Sequence, residues 1–247
     1  MSDSEIIIGI HSIREALKNP RRSESKFFGT SDAYNEMKKN LPAFEHDLFK
    51  QGDLQNLAKK EVEKRGFQFS RIPSNCFLTT KPLEDLDVSW VFRKIEKGEV
   101  LKLLCLDQVT DVHNGGAILR TAAFYGVDAV LISQKGKFGK SPSFMRIASG
   151  ACEHIPIINC GSLPKALNKL GTLGVSVIGF SEHAEEKSVS PEKEKSQCLV
   201  LGSEDRGLSH AVMRILTQKV QLEPQGPIKS LNVSVAAAVV MEKFFSH

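Results

Sequence analysis

The sequence predicts an α/β protein in two parts, a small α+β unit followed by a larger domain built on a parallel sheet with helices on both faces. Three observations carry this. From about residue 99 on, apolar runs of strand length alternate with helical segments, the pattern of a doubly covered parallel sheet. Before about residue 80 the apolar runs are shorter and interleaved with charged helical patterns. The length of 247 residues, with 41% hydrophobic and 25% charged side chains, is ordinary globular composition and leaves room for two cores.

In the first part, Ile6–Ile10 reads as a strand and His11–Asn19 as a helix with Ile13, Ala16 and Leu17 on one face, ended by Asn19-Pro20. Asp53–Arg65 repeats the helical spacing through Leu54, Leu57, Ala58 and Val62, and Gly66 stands where a helix terminates. Phe67–Ile72 then alternates apolar and polar as a half-buried strand does. Between Lys81 and Gly98 the pattern breaks down into prolines and mixed charges, a linker. The expected division is therefore 1–80, a linker 81–98, and a domain 99–247. In that domain the strand-like runs are Leu101–Leu106, Ala129–Ile132, Ile155–Ile158, Val175–Phe180, Cys198–Leu201 and Val220–Leu222. Helices fall between them: Asn114–Tyr125, closed by Gly126; Leu163–Leu170, capped by Ser162; and His210–Leu216, preceded by Ser209. A final helix from about Leu231 to Phe245 starts with small apolar residues and is expected to be buried.

Other classes fall away. The start Met1-Ser2-Asp3-Ser4-Glu5 is acidic where a secretory signal is basic, and Val233–Met241 is about half of the roughly 20 apolar residues a membrane span needs. A cytoplasmic protein without a membrane partner is expected. Five cysteines at 76, 105, 152, 160 and 198 form no Cys-x-x-Cys pair, so neither a disulfide framework nor a metal site is expected. The net charge of +4 is spread evenly and identifies no partner. No dinucleotide-binding, phosphate-loop, zinc-protease or nucleophile-elbow motif occurs.

Chemistry-bearing residues gather in loops that follow strands, where open parallel sheets bind ligands. After Leu101–Leu106 comes Asp107–Arg120, in which Asn114-Gly115-Gly116 suits a helix start with Asn114 as cap. Arg120, six residues on, is expected on nearly the same face. After Cys198–Leu201 comes Gly202-Ser203-Glu204-Asp205-Arg206-Gly207, a tight turn carrying an acid. The irregular Glu223–Pro227 leads to Ser230, Asn232 and Ser234, more polar side chains than one helix cap requires. Between Asp128 and Glu153 there is no acid, while Lys135, Lys137, Lys140 and Arg146 lie there, a candidate phosphate-binding stretch.

These segments resemble, in order and spacing, the three signature motifs of the SpoU (TrmH-like) family of RNA ribose 2′-O-methyltransferases, of the SPOUT superfamily, over roughly Leu101 to Phe245. Lys140–Ser143 and Ala148–Pro156 resemble the family's middle segment. Ile8–Leu17 resembles the ribosomal-protein-like, RNA-binding N-terminal domain of the bacterial 23S rRNA guanosine 2′-O-methyltransferase subgroup. The resemblance implies S-adenosylmethionine as cofactor and RNA as substrate, most of all large-subunit rRNA. It also implies a homodimer and a deep trefoil knot at the C-terminus. It casts Asn114, Arg120, Glu204, Ser230 and Asn232 as catalytic residues and Gly202, Leu222 and Leu231 as cofactor-binding residues. Because a guanidinium is effectively never deprotonated, Arg120 is expected to bind a phosphate and polarise the 2′-oxygen while Asn114, Glu204 and Asn232 orient the groups around it. Two positions depart from the family pattern: Glu223 stands where an apolar residue is usual, and the histidine-glutamine-glycine stretch near the end of the N-terminal domain is absent. Alternatives are a tRNA ribose methyltransferase and a non-catalytic RNA-binding or ribosome-assembly protein on the same fold.

Overall fold

Two sheets organise the chain in the computed structural model, which describes residues 4–133, 141–184, 189–192 and 194–246. The chain divides into two compact units, Met1–Glu84 with Gly139–His154, and Asp85–Phe138 with Ile155–His247.

The first unit is a mixed four-stranded sheet in the order β1-β4-β2-β3, made of β1 (Glu5–Ile8), β2 (Lys26–Gly29), β3 (Glu45–Leu48) and β4 (Cys76–Thr80). β4 runs antiparallel to both its neighbours, and β3 lies parallel to β2 at the edge. The helices are α1 (Ile10–Lys18), α2 (Ser31–Met37) and α3 (Gln51–Lys64). The apolar stripe of α3, Leu54, Ala58 and Val62, is buried against Ile6, Ile8 and Phe77, and Phe28 stacks on Phe77 with ring centroids 4.8 Å apart. The 67–72 stretch, whose alternation predicts a strand, is extended but joins neither sheet. Its alternation records one-sided burial of Phe67 and Phe69 against the core, with no ladder partner.

The segment after residue 140 also belongs here, although its sequence position lies inside the expected second domain. Its helix α6 (Pro142–Ala148) packs on β1 and α1, and the Ser12 hydroxyl donates to the Met145 carbonyl at 2.7 Å. Gly150, at φ +93°, passes so close to α1 that a Cβ would sit 2.7 Å from Glu15 Cγ. The chain is then pinned by a buried charge network. The Arg22 guanidinium donates to both Glu153 carboxylate oxygens, at 3.0 and 2.7 Å, and to Glu5 at 2.6 Å. Asn19 adds a bond to Glu153 at 2.8 Å.

The second unit holds a six-stranded, all-parallel sheet of β5 (Lys102–Asp107), β6 (Ala129–Ser133), β7 (Ile157–Cys160), β8 (Ser176–Phe180), β9 (Gln197–Gly202) and β10 (Gln218–Val220), in the order β10-β8-β9-β5-β6-β7. The remaining helices are α4 (Val88–Glu96), α5 (Val112–Phe124), α7 (Leu163–Thr172), α8 (His210–Ile215) and α9 (Val233–Phe245). Leu103, Cys105, Cys198 and Val200 point to one face with Leu163, Leu167 and Val212. On the other, α5 and α9 pack on each other and α9 on β9. Cys105 and Cys198 are fully buried core thiols, and burial pushes both well above the usual thiol range.

Two expectations change here. The stretch 81–98 is not a bare linker, because it contains α4, whose Val91 is fully buried and whose Val88, Trp90, Phe92 and Ile95 pack on the same core. The last helix is not buried all round, since Val235 and Val239 face outward at 48% and 42% exposure. No helix among the described residues is long and apolar enough to cross a membrane.

Candidate active site

The strand order singles out one place in the second unit. From β5 the chain builds outward through β6 to β7, while β8, β9 and β10 lie on the opposite side of β5. The order therefore reverses between β5 and β9, and the carboxyl ends of such strands form a ligand crevice. The last pair in that ladder is Asp107 with Gly202, from which the loops to α5 and α8 diverge.

The β5–α5 loop ends at Asp111, whose carboxylate accepts the Asn114 backbone N–H at 2.8 Å and caps α5. Asn114 is thus not the cap expected from its position before two glycines, and its side chain is free for longer-range contacts. Its Nδ2 donates to Glu204 Oε1 at 3.0 Å, and its Oδ1 accepts from Asn232 Nδ2 at 3.1 Å. Asn232 also donates to Glu204, closing a three-membered ring of side chains from the first turn of α5, the turn after β9 and the start of α9. The same Glu204 oxygen accepts the Val233 backbone N–H at 3.1 Å, so a carboxylate sits on the amino end of α9. Asn232 caps that helix through its Oδ1, which accepts the Ser234 N–H at 2.9 Å.

Two further features hold the Glu204 loop in place. Gly202 is compulsory, because a Cβ there would lie 2.1 Å from the Gly207 carbonyl carbon, and Ser203 and Gly207 exchange backbone hydrogen bonds across the turn. Asp107, only 3% exposed, accepts the Ser209 backbone N–H at 2.7 Å. Asp107 belongs to no motif that marks it as functional; its signal in the sequence is an acid closing an otherwise apolar strand directly before the first motif.

The other expected residues are less closely joined. Ser230 and Leu231 are exposed and Leu222 half-buried, in a loop where residues 221–231 make no backbone hydrogen bond to another described backbone group. Arg120 is exposed and makes no hydrogen bond or ion pair among the described residues. It does not share a face with Asn114: at 3.6 residues per turn, six residues bring it about 120° round the helix. Lys135, Lys137 and Lys140 lie outside the described residues. Arg146 is exposed on α6 and so belongs to the first unit.

The chain is similar to known proteins. Residues 102–242 match the SpoU rRNA Methylase family. A Staphylococcus aureus protein named as a TrmH family tRNA/rRNA methyltransferase is 34% identical over 150 residues, covering 61% of this chain and 60% of that relative. The Ralstonia nicotianae 23S rRNA (guanosine-2′-O-)-methyltransferase RlmB is 29% identical over 98% of this chain and 95% of its own. The crystal structure of the SpoU methyltransferase AviRb from Streptomyces viridochromogenes, in complex with AdoMet, superposes with a TM-score of 0.74 at 17% identity, covering 98% of this chain and 89% of that one. With its matched segment spanning more than half of its length, including all three residues of the Asn114–Glu204–Asn232 ring, the chain belongs to the SpoU rRNA methylase family.

Proposed function

We propose that the protein transfers a methyl group from S-adenosylmethionine to a ribose 2′-hydroxyl of RNA, with large-subunit rRNA as substrate. The observation that carries this is the Asn114–Glu204–Asn232 ring at the strand-order reversal of a SpoU-family domain. The named activities of the Ralstonia and Staphylococcus relatives support it.

The residues present fit the cofactor. Gly202 brings the backbone of the Glu204 turn into close approach, and Leu222 and Leu231, which make no backbone hydrogen bond to another described backbone group, have theirs for an adenosine edge. Gly202, Leu222 and Leu231 would hold the molecule, which when bound supplies an electrophilic methyl on a sulfonium. The protein's task is alignment, since positioning of reacting groups is worth about 7–11 kcal/mol. Glu204 fixes both asparagines, and Asn114 and Asn232 hold the ribose hydroxyl in line. Arg120 grips a phosphate and polarises the 2′-oxygen as a bidentate cation.

Because Arg120 does not join the ring, we place it in the site of a second copy. Phe124, four residues on along the same face of α5, is 83% exposed, and Val235 and Val239 add apolar surface on the neighbouring α9. A dimer joined there covers this surface and carries Arg120 across the interface. The path of the chain also supports the expected knot: it reaches β10 at the sheet edge and then returns as α9 to pack on β9 and α5. The first unit serves as the RNA-recognition module, and a cytoplasmic location suits such a substrate.

The test is incubation with methyl-labelled S-adenosylmethionine and rRNA or tRNA, followed by nucleoside analysis. Label on a ribose of 23S rRNA, lost in Asn114→Ala, is the expected result. Label confined to tRNA moves the substrate, and no label in any RNA despite cofactor binding overturns the activity.

A further inference from the structure

The first unit contains a cavity of about 170 Å³ between the extended 67–72 segment and Ser141–Ser143, floored by Ile8 and Val62. We propose that it is a pocket for a single unstacked nucleobase of the RNA substrate, a contact separate from the site of methyl transfer. This rests on the RNA-substrate reading above.

Size is the first argument. Pockets for drug-sized ligands and cofactors run from about 300 Å³ upward, so this one holds one ring system and not a nucleotide cofactor. Composition is the second. Phe67 and Phe69 are half-buried in its wall, held against the core by their inner faces. Gln68, Ser70 and Ser143 offer neutral polar groups, and no acid lines it. Apolar and aromatic walls with neutral polar edges are how proteins take up a base extruded from a single strand. The third argument is the unpaired backbone. The segment is tied at its ends, by Phe67 N–H to the Val62 carbonyl at 3.3 Å and by a two-way pairing of Gln55 with Ile72. Between them, residues 68–71 make no backbone hydrogen bond among the described residues, so their amides and carbonyls are free to read a base edge. Finally, Arg71 is exposed at the rim with no hydrogen bond or ion pair among the described residues, which suits the phosphate next to the bound base. An extended peptide adding as a strand would use the free backbone but not the cavity or the cation, which is why RNA is favoured.

The test measures binding of a single-stranded oligoribonucleotide from the methylated region to the full chain by fluorescence anisotropy. Arg71→Ala and Ser143→Phe are surface changes, the second filling the cavity. Each is expected to weaken binding about 5- to 150-fold, the range of one base stack or phosphate contact. Arg71→Ala should also lower the salt dependence by about 0.7 in log–log slope. Photo-crosslinks from 4-thiouridine should map to 67–72. Wild-type affinity in both variants, or a segment protected by peptides and not by RNA, overturns the pocket even when the wild-type protein methylates RNA. Failure of the wild-type protein to bind or methylate any RNA overturns the functional reading instead.

Discussion

Replacing Arg22 by alanine should be among the most damaging single changes in the first unit. The Arg22 side chain is 2% exposed, that of Glu153 1% and that of Glu5 12%. Burial opposes the guanidinium's charge, but hydrogen bonding and attraction from Glu153 and Glu5 outweigh it and hold the group more firmly protonated than usual. Without it, among the described residues, the Glu153 carboxylate keeps only Asn19 and the Glu5 carboxylate loses its one side-chain partner. Removing one partner of a buried pair costs about 3–5 kcal/mol, because the other charge stays buried and uncompensated. Glu153→Ala should cost less, since Arg22 retains Glu5 and the Lys81 carbonyl at 2.9 Å. Urea denaturation, with hydrogen exchange followed on β1 and α6, measures both the loss and its location. Exchange should quicken across 142–153, the stretch the network pins to this unit. A loss below about 1 kcal/mol in Arg22→Ala, with α6 exchange unchanged, would refute the reasoning.

Three further outcomes concern the second unit and one buried thiol from each unit. Gly202→Ala should destabilise by at least the roughly 1–3 kcal/mol of an overpacked site, because the clash is with backbone; calorimetry and cofactor titration should both register it. Asp107→Ala, which strands the Ser209 N–H, should cost about 1–3 kcal/mol and reduce turnover without altering Asn114 or Glu204 themselves, as thermal melts and single-turnover assays would show. Burial raises the thiols of Cys76 and Cys160 from 9.0 to about 12. The unfolded chain therefore releases these protons first, and stability present below pH 9 should be lost as pH rises from about 9 to 12, at about 1.4 kcal/mol per unit for each thiol. Urea midpoints across that range should flatten in Cys76→Ala and Cys160→Ala.

Much of this was legible in the residues, and the exceptions have physical causes. β5, β6 and β9 announce themselves because both faces are buried, making each a nearly continuous apolar run, whereas the edge strand β10, Gln218–Val220, opens on two polar, half-buried residues. α4 was hidden by Pro82 and the charges around it, although Val88, Val91, Phe92 and Ile95 carry the 0, 3, 4, 7 spacing of a helix. Phe67–Ile72 shows the converse limit: alternation reports that one side is buried and says nothing of whether a neighbouring strand exists to receive the backbone. The local context of Asn114 points to capping, but Asp111 takes that role because its carboxylate stands three residues before the amide it accepts. Only then is the Asn114 amide available to Glu204, 90 residues away. That meeting depends on β9 lying beside β5 in the sheet, a long-range choice that leaves no trace in any window of sequence. The chemistry of the site is thus written in three short segments, while its convergence is a property of strand order.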